Sequence, residues 1–283
     1  MSSPLSTPSS AFAWRPDVTA FAPVDAVPEA LILSASTVAG EVNGDEPSLR
    51  VAFVSDDSAD FFAEAAPIDE SEPQLAECVV YTAKVAQLVA LSNEQFAQEG
   101  TAEQISQSVS RAIVARADQA FIAQSAPIGP AVAPPAGLLN VAGIEEGGVV
   151  YDNLDSLVDL IATLESNGAT PSHVILDPLG WAAVRKLKLA SDSNASLVGA
   201  GTTDAARMLL SLPVIVNRHV PAYSGVVLDR NAVVSAVGPV NVAVSEHANF
   251  NSDSVVVRAT WRIGWSVVRP DRVGKFTIDG DGS

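Results

Sequence analysis

The chain has 283 residues, 48% hydrophobic and 17% charged, and its 33 acidic against 16 basic side chains give a formal net charge of −17. That length can bury a substantial core, as one large domain or two modest ones. The acidic balance excludes a free-standing nucleic-acid reader, which carries a basic patch, but not a protein that merely encloses nucleic acid. A lone cysteine, Cys78, excludes an intrachain disulfide, and its apolar setting reads as that of a small buried hydrophobe.

Residues 1 to about 30 read as an extended arm. Pro4, Pro8, Pro16, Pro23 and Pro28 forbid helix there, and such an arm becomes ordered only along another surface. The first basic residue is Arg15, so no signal peptide is expected, and no apolar run approaches the ~20 residues that span a bilayer. The expectation is a protein made in the cytoplasm of its cell, with no membrane partner.

From Arg50 to Lys84 there is no basic residue, while Asp56, Asp57, Asp60, Glu64, Asp69, Glu70, Glu72 and Glu77 accumulate. Strand-like runs flank this segment, Val51–Val54 before it and Cys78–Leu91 after it. The pattern predicts a long hairpin with an acidic tip. A lone hairpin is marginal in water, so it must rest on its own domain or on a neighbour.

Ser92 and Gln95 fit a capping box, and Thr101 with Gln104 offers a second after Gly100. Ile105, Val109, Ala112, Ile113, Ala117, Ala120 and Phe121 then recur at helical spacing, predicting a helix of about six turns running to Gln124. Gln107, Arg111 and Asp118 are assigned to its other side. Prolines and glycines from Pro127 to Gly137 mark a break.

Beyond Gly147 and Gly148, the residues Leu154, Leu157, Val158, Ile161 and Leu164 form a helical stripe stopped at Asn167-Gly168. His173–Leu176 reads as a short strand. Asp177 caps a following helix that carries Trp181, Val184 and Leu187. A polar loop spans Ser191 to Thr203. Short strands are expected at Pro213–Asn217, Gly225–Leu228, Val233–Val237 and Val240–Ser245. From Val255 to Val267 every second residue is apolar, with Arg258, Thr260, Arg262 and Ser266 between, which predicts a strand with one face on a core. Pro270 ends it, and the residues after Phe276 read as frayed.

Catalytic constellations are missing. His173, His219 and His247 lack metal-ligand spacing, and no Gly-x-Ser-x-Gly elbow or dinucleotide fingerprint is present. Gly199–Thr203 lacks the Gly-Lys-Ser/Thr of a phosphate loop. The reading is therefore not an enzyme, with no catalytic, cofactor-binding or metal-ligating residues and no cofactor. A cytoplasmic α/β enzyme using Asp177 or His173 is the weaker alternative from another class. The acidic hairpin is the one charge feature that stands out. A solvated loop is its plain explanation. The sharper one is a docking arm for basic side chains of another copy, with Arg111, Arg116, Arg185, Lys186, Lys188, Arg258, Arg262, Arg269 and Arg272 as candidates.

The order of parts resembles the Hong Kong 97-type major capsid proteins of tailed bacteriophages. Phe61–Pro67 is similar to the first half of that family's E-loop, and Lys84–Ser92 to its second strand running into the spine helix. Asp118–Phe121 resembles the end of that helix, His173–Lys188 the strand–Pro–Trp–helix segment, Leu212-Pro213-Val214 a further strand, and Phe250–Pro270 the last P-domain strand. The resemblance covers about residues 50 to 276.

It implies an α+β fold with an N-terminal arm at 1–50, an E-loop hairpin at 51–91, a P domain with the spine helix at 92–140, an A domain at 141–245, and at 246–283 the return strand of the P domain with a C-terminal tail. It also implies a homo-oligomer of hexamers and pentamers forming an icosahedral shell around double-stranded DNA, without sequence-specific binding. Scaffold, portal and decoration proteins are further candidate partners. The location implied is the virion, assembled in the bacterial host cytoplasm. Asp69, Glu70, Glu72, Arg258 and Arg262 are the candidate inter-subunit contacts. Some relatives weld subunits through an E-loop lysine, but residues 51 to 83 contain none, so no such cross-link is expected. The arm is too short for a cleaved scaffolding segment. An encapsulin-type nanocompartment shell is the alternative within the same fold.

Overall fold

A computed structural model describes residues 18–21, 23, 27–54, 75–98, 101–188, 196–197, 207–249 and 253–280. Its elements build two six-stranded sheets that share one continuous interior. The first contains β1 (Val18–Phe21), β2 (Thr37–Glu41), β3 (Ser48–Val54), β4 (Leu75–Ser92), β10 (Val233–Asn249) and β11 (Ser254–Val267). Its order is β1-β10-β11-β4-β3, with β2 alongside β10. The second contains β5 (Glu145–Val150), β6 (His173–Leu176), β7 (Met208–Leu209), β8 (Leu212–Val216), β9 (Ser224–Leu228) and β12 (Val273–Ile278). Its order is β5-β12-β9-β6-β8-β7.

The two expected short strands at Val233–Val237 and Val240–Ser245 are one strand. β10 runs through Gly238-Pro239 with a register shift between Val237 and Val240 against β11. Proline has no N–H for the ladder, so the pairing slips there without ending. The alternation in β11 is realised in its middle, where Ala259, Trp261 and Ile263 are buried while Arg258 is exposed; towards its start Val255, Val256 and Val257 are all buried. Gly264 sits where a Cβ would strike the Tyr81 carbonyl, so β4 and β11 can approach this closely only at glycine.

The capping box at Ser92 forms around a short helix α2 (Asn93–Phe96), with the Gln95 amide donating to the Ser92 hydroxyl at 3.2 Å. The long helix α3 (Thr101–Ala123) follows. At about 1.5 Å per residue it is about 35 Å long. It lays Val109, Ile113, Ala117, Ala120 and Phe121 on the inner face of the first sheet. Phe121 meets Trp265 edge to face, ring centres 5.5 Å apart, the geometry the ring quadrupoles favour. Both tryptophan N–H groups in this core are satisfied: Trp261 donates to the Gly238 carbonyl at 2.9 Å and Trp265 to the Ala136 carbonyl at 2.7 Å.

The arm expected at 1–50 is anchored to its own chain from Val18 onward. β1 pairs antiparallel with Val240–Ala243 and β2 pairs parallel with Val234–Val237. Between them, α1 (Leu31–Ala35) places Leu31, Ile32 and Ala35 in the main core. The prolines that suppress helix end at Pro28, and the apolar run behind them is what the core takes up. Residues 1–17 and the acidic tip, including Asp69, Glu70 and Glu72, lie outside the described residues.

The second sheet is covered on both faces. Ile175, Val226 and Leu228 join the first core, while Val174, Leu176 and Val227 face a second core built with Leu157, Leu160 and Leu164 of α4 (Asp155–Ser166) and Val184 of α5 (Pro178–Lys186). Two-sided burial explains why β6 and β9 are apolar throughout and not alternating. Gly168, at φ +76°, takes the left-handed turn that stops α4. Asp177 caps α5 as expected, accepting from the Leu179 and Gly180 amides at 2.9 and 3.0 Å.

Thr277 and Ile278, expected to fray, instead end a strand, and the strand itself is not among those expected. β12 is an interior strand of the second sheet, parallel to β5 and antiparallel to β9, and it buries Val273, Phe276 and Ile278. The residues after Val267 thus cross from the first sheet to the second.

Candidate subunit interface

Strand alternation places one set of side chains from β4 and β11 on the outer face of the first sheet. Register aligns Arg258 with Leu88, Thr260 with Ala86 and Arg262 with Lys84. The long helix occupies the opposite face. On this one Val42 and Leu49 cover Val80 and Ala236 at one end, and the rest is open: Leu88 is 67% exposed, and Lys84, Ala86, Ala90 and Arg258 are exposed too. The result is a flat patch of small apolar side chains set with cations.

The two arginines have different roles. Arg262 turns its Nη1 inward, donating to the Glu46 carbonyl at 3.2 Å and the Thr82 hydroxyl at 3.0 Å. The Thr82 hydroxyl itself donates to the Glu46 carbonyl at 2.6 Å. Arg262 therefore pins the turn between β2 and β3 to the sheet. Arg258 points out beside Leu88 and offers its charge to whatever covers the face. At the hairpin base Arg50 and Glu77 pair at 3.4 Å, both well exposed, which contributes little to stability.

The other basic candidates are scattered. Arg116 donates to the Gln124 side chain at 2.9 Å. Arg185 and Lys186 occupy the last turn of α5, where they complement the helix dipole. Arg111 lines an open cleft of about 790 Å³ between the segment 27–31, α3 and residues 215–219 at the end of β8.

Asp118 closes the base of that cleft, and here the sequence assignment is corrected. It is buried, 3% exposed, not on the solvent side of α3. It lies four residues after Val114 and three before Phe121, which puts it on the apolar stripe, and that spacing was its signal. Its oxygens accept from the Leu31 amide at 2.8 Å and from the Asn217 side chain at 2.6 Å. One carboxyl thus ties α1, α3 and the second sheet together. Burial pushes its pKa up to about 6, with Glu29 adding to the rise and the two hydrogen bonds opposing it.

His173 is held below its ordinary pKa by burial and then by Arg230, and His219 by burial and then by Arg218. Both environments favour the neutral imidazole. Among the described residues no three His, Cys, Asp or Glu side chains gather as a metal site, and no helix is long and apolar enough to cross a membrane.

The sequence matches the profile of the phage capsid family over residues 29–278. The chain belongs to the phage capsid family. Its fold is similar to that of a protein from Gordonia phage Cozz at 16% identity and TM-score 0.68, covering 88% of this chain and 86% of that one. It is also similar to the capsid of an empty GTA particle, computed with C5 symmetry, at 18% identity and TM-score 0.68, covering 88% and 89%. A protein from Mycobacterium phage Adephagia follows at 17% identity and TM-score 0.67, covering 88% and 90%. No curated protein matches the sequence. The family makes this chain a structural, non-enzymatic shell subunit of a phage virion with an α+β fold of the Hong Kong 97 type. The matches are to the phage capsid family, to proteins from phages and to a GTA capsid, and do not favour the nanocompartment alternative.

Proposed function

We propose that this capsid protein assembles as hexamers and pentamers into an icosahedral shell that encloses the double-stranded DNA of a tailed phage, in the host cytoplasm. The observation that carries the proposal is the family match together with a sheet whose outer face is left partly open beside a long two-stranded hairpin. Identical subunits in contact through different patches close into rings when the rotation permits. The five-fold symmetry of one similar capsid, that of the empty GTA particle, supports pentamers at the vertices. The net charge of −17 suits a container that does not grip its contents.

Within this shell the chain divides into an arm at 1–50, an E-loop at 51–91, a P domain at 92–140 completed by the return strand within 246–283, and an A domain at 141–245. The E-loop tip, with Asp69, Glu70 and Glu72, docks on a neighbour's cations, Arg258 foremost and Arg262 beside it. With no lysine between residues 51 and 83, the overlap is held by burial and charge. Separate scaffold, portal and decoration proteins complete the particle.

Expression of the chain, followed by sedimentation and electron microscopy, tests the shell. Closed particles containing nucleic acid are expected, and a monomer or dimer at every concentration overturns the proposal. Reversing Asp69, Glu70 and Glu72 to lysine is expected to reduce particle yield at least tenfold while the subunit's circular dichroism stays unchanged. Normal shells from that variant make the charge incidental.

A further inference from the structure

The long strand β4 is paired on both edges for only part of its length. Towards β11 its register is continuous from Thr82 to Ser92. On the other edge β3 covers Leu75 to Tyr81 and stops. The Thr82 amide, which donates to the Pro47 carbonyl at 2.9 Å, shows which way the groups point there, because the Tyr81 carbonyl faces Gly264 of β11 on the opposite side. Backbone groups alternate along a strand, so Lys84, Ala86, Leu88 and Ala90 direct their N–H and C=O groups to the edge away from β11. Among the described residues no strand pairs with that edge from Ala83 to Leu91.

An edge of this length is normally blunted by proline, a bulge or repeated charge, because its open hydrogen-bonding groups template another chain. Here the sequence is Ala-Lys-Val-Ala-Gln-Leu-Val-Ala-Leu, and Lys84 is its one charge. A second observation points at the same place. The Gln87 side-chain oxygen is shielded from solvent and, among the described residues, has no hydrogen-bond partner. Such an orphan costs about 1–3 kcal/mol unless something supplies a donor.

We infer that β4 pairs antiparallel with β4 of a second copy across a two-fold axis at Gln87, joining two first sheets into one. This rests on the shell proposed above, whose symmetry contains two-fold axes. The register places Ala86 against Leu88 and Lys84 against Ala90, and all four carry outward backbone groups, so both are hydrogen-bonded pairs in the correct phase. Val85 meets Val89 on the helix side. Gln87 faces Gln87 as a non-hydrogen-bonded pair, with Cα atoms about 4.5 Å apart. At that separation the two carboxamides can pair, each N–H donating to the other's oxygen, once the side chains turn from the helix side to the seam. The two Lys84 side chains stand about 20 Å apart along the strands, so they do not repel.

Cross-linking tests this in assembled particles. In a Cys78→Ser chain, Gln87→Cys is expected to convert most of the protein to a disulfide dimer under mild oxidation, because cross-strand cysteines at this spacing fall within disulfide reach. Lys84→Cys in the same background is expected to stay monomeric. Intact shells without the Gln87→Cys dimer, or with equal linking at Lys84→Cys, overturn the pairing and mean that another segment, such as the N-terminal arm, holds the edge. The shell proposal then still stands, whereas no particles from the unsubstituted chain sink that proposal first. Hydrogen exchange on unsubstituted shells gives a check that needs no variant. The Ala86 and Leu88 amides are expected to exchange at least a hundredfold more slowly in shells than in free subunits, and unchanged exchange at both overturns the inference.

Discussion

The two sheets have the same number of strands and opposite relations to solvent. The second is covered on both faces, by the shared core on one side and by α4 and α5 on the other. The first buries one face under α3 and covers only part of the other, where Val42 and Leu49 pack on Val80 and Ala236; beyond them Leu88 and Arg258 are exposed, and among the described residues half of one edge of β4 is unpaired. A sheet that needs no partner is finished within the subunit. In the proposed shell the first sheet, with strands of 17 and 18 residues, is the one completed by assembly, so the difference separates the part of the chain that holds the fold from the part proposed to meet its copies.

The sharpest test sets one face of the first sheet against the other. Trp261→Ala is expected to cost about 3–5 kcal/mol in urea titrations of the unassembled subunit, since the ring is fully buried and its N–H bond to Gly238 is lost. Leu88→Ala, on the open face, is expected to change that midpoint by less than about 0.5 kcal/mol and to act only on the stability of the shell. Equal effects of the two on the free subunit would remove the distinction between faces.

A smaller effect belongs to Asp118, which joins the two regions. Its folded pKa, near 6, lies above the ordinary carboxylate value, so the folded state keeps a proton that the unfolded chain releases. Its contribution is therefore fully present below about pH 4 and falls as pH rises through about 6, by an amount on the order of 3 kcal/mol. Thermal midpoints of the parent minus those of Asp118→Asn are expected to decline over that window. A flat difference breaks the assignment. Smallest is the Asp177 cap in the second region: Asp177→Ala is expected to cost about 1 kcal/mol and to speed amide exchange at Leu179 and Gly180 with shell assembly unaffected.

Local rules made much of the fold legible. The capping box at Ser92, the stripe on α3, the cap at Asp177 and the alternation of β11 each depend on spacings of four residues or fewer, and each forms as read. What escaped depends on distant partners. β12 has too short an alternation to stand out, and it is a strand because β5 and β9 flank it. The burial of α1 and Asp118 is fixed by each other across 87 residues. Of the proposed contact residues, Arg258 and Arg262 could be placed on one face by period two, but only the fold shows that Arg262 holds Glu46 and Thr82 of its own chain.

The position of β12 has a consequence for synthesis. It lies between β5 and β9, so β5 is joined to the rest of its sheet only through a strand made long afterwards on the ribosome. The second sheet cannot close until residue 278 has been translated. A chain that stops short of β12 thus carries β5 detached from the strands it belongs with.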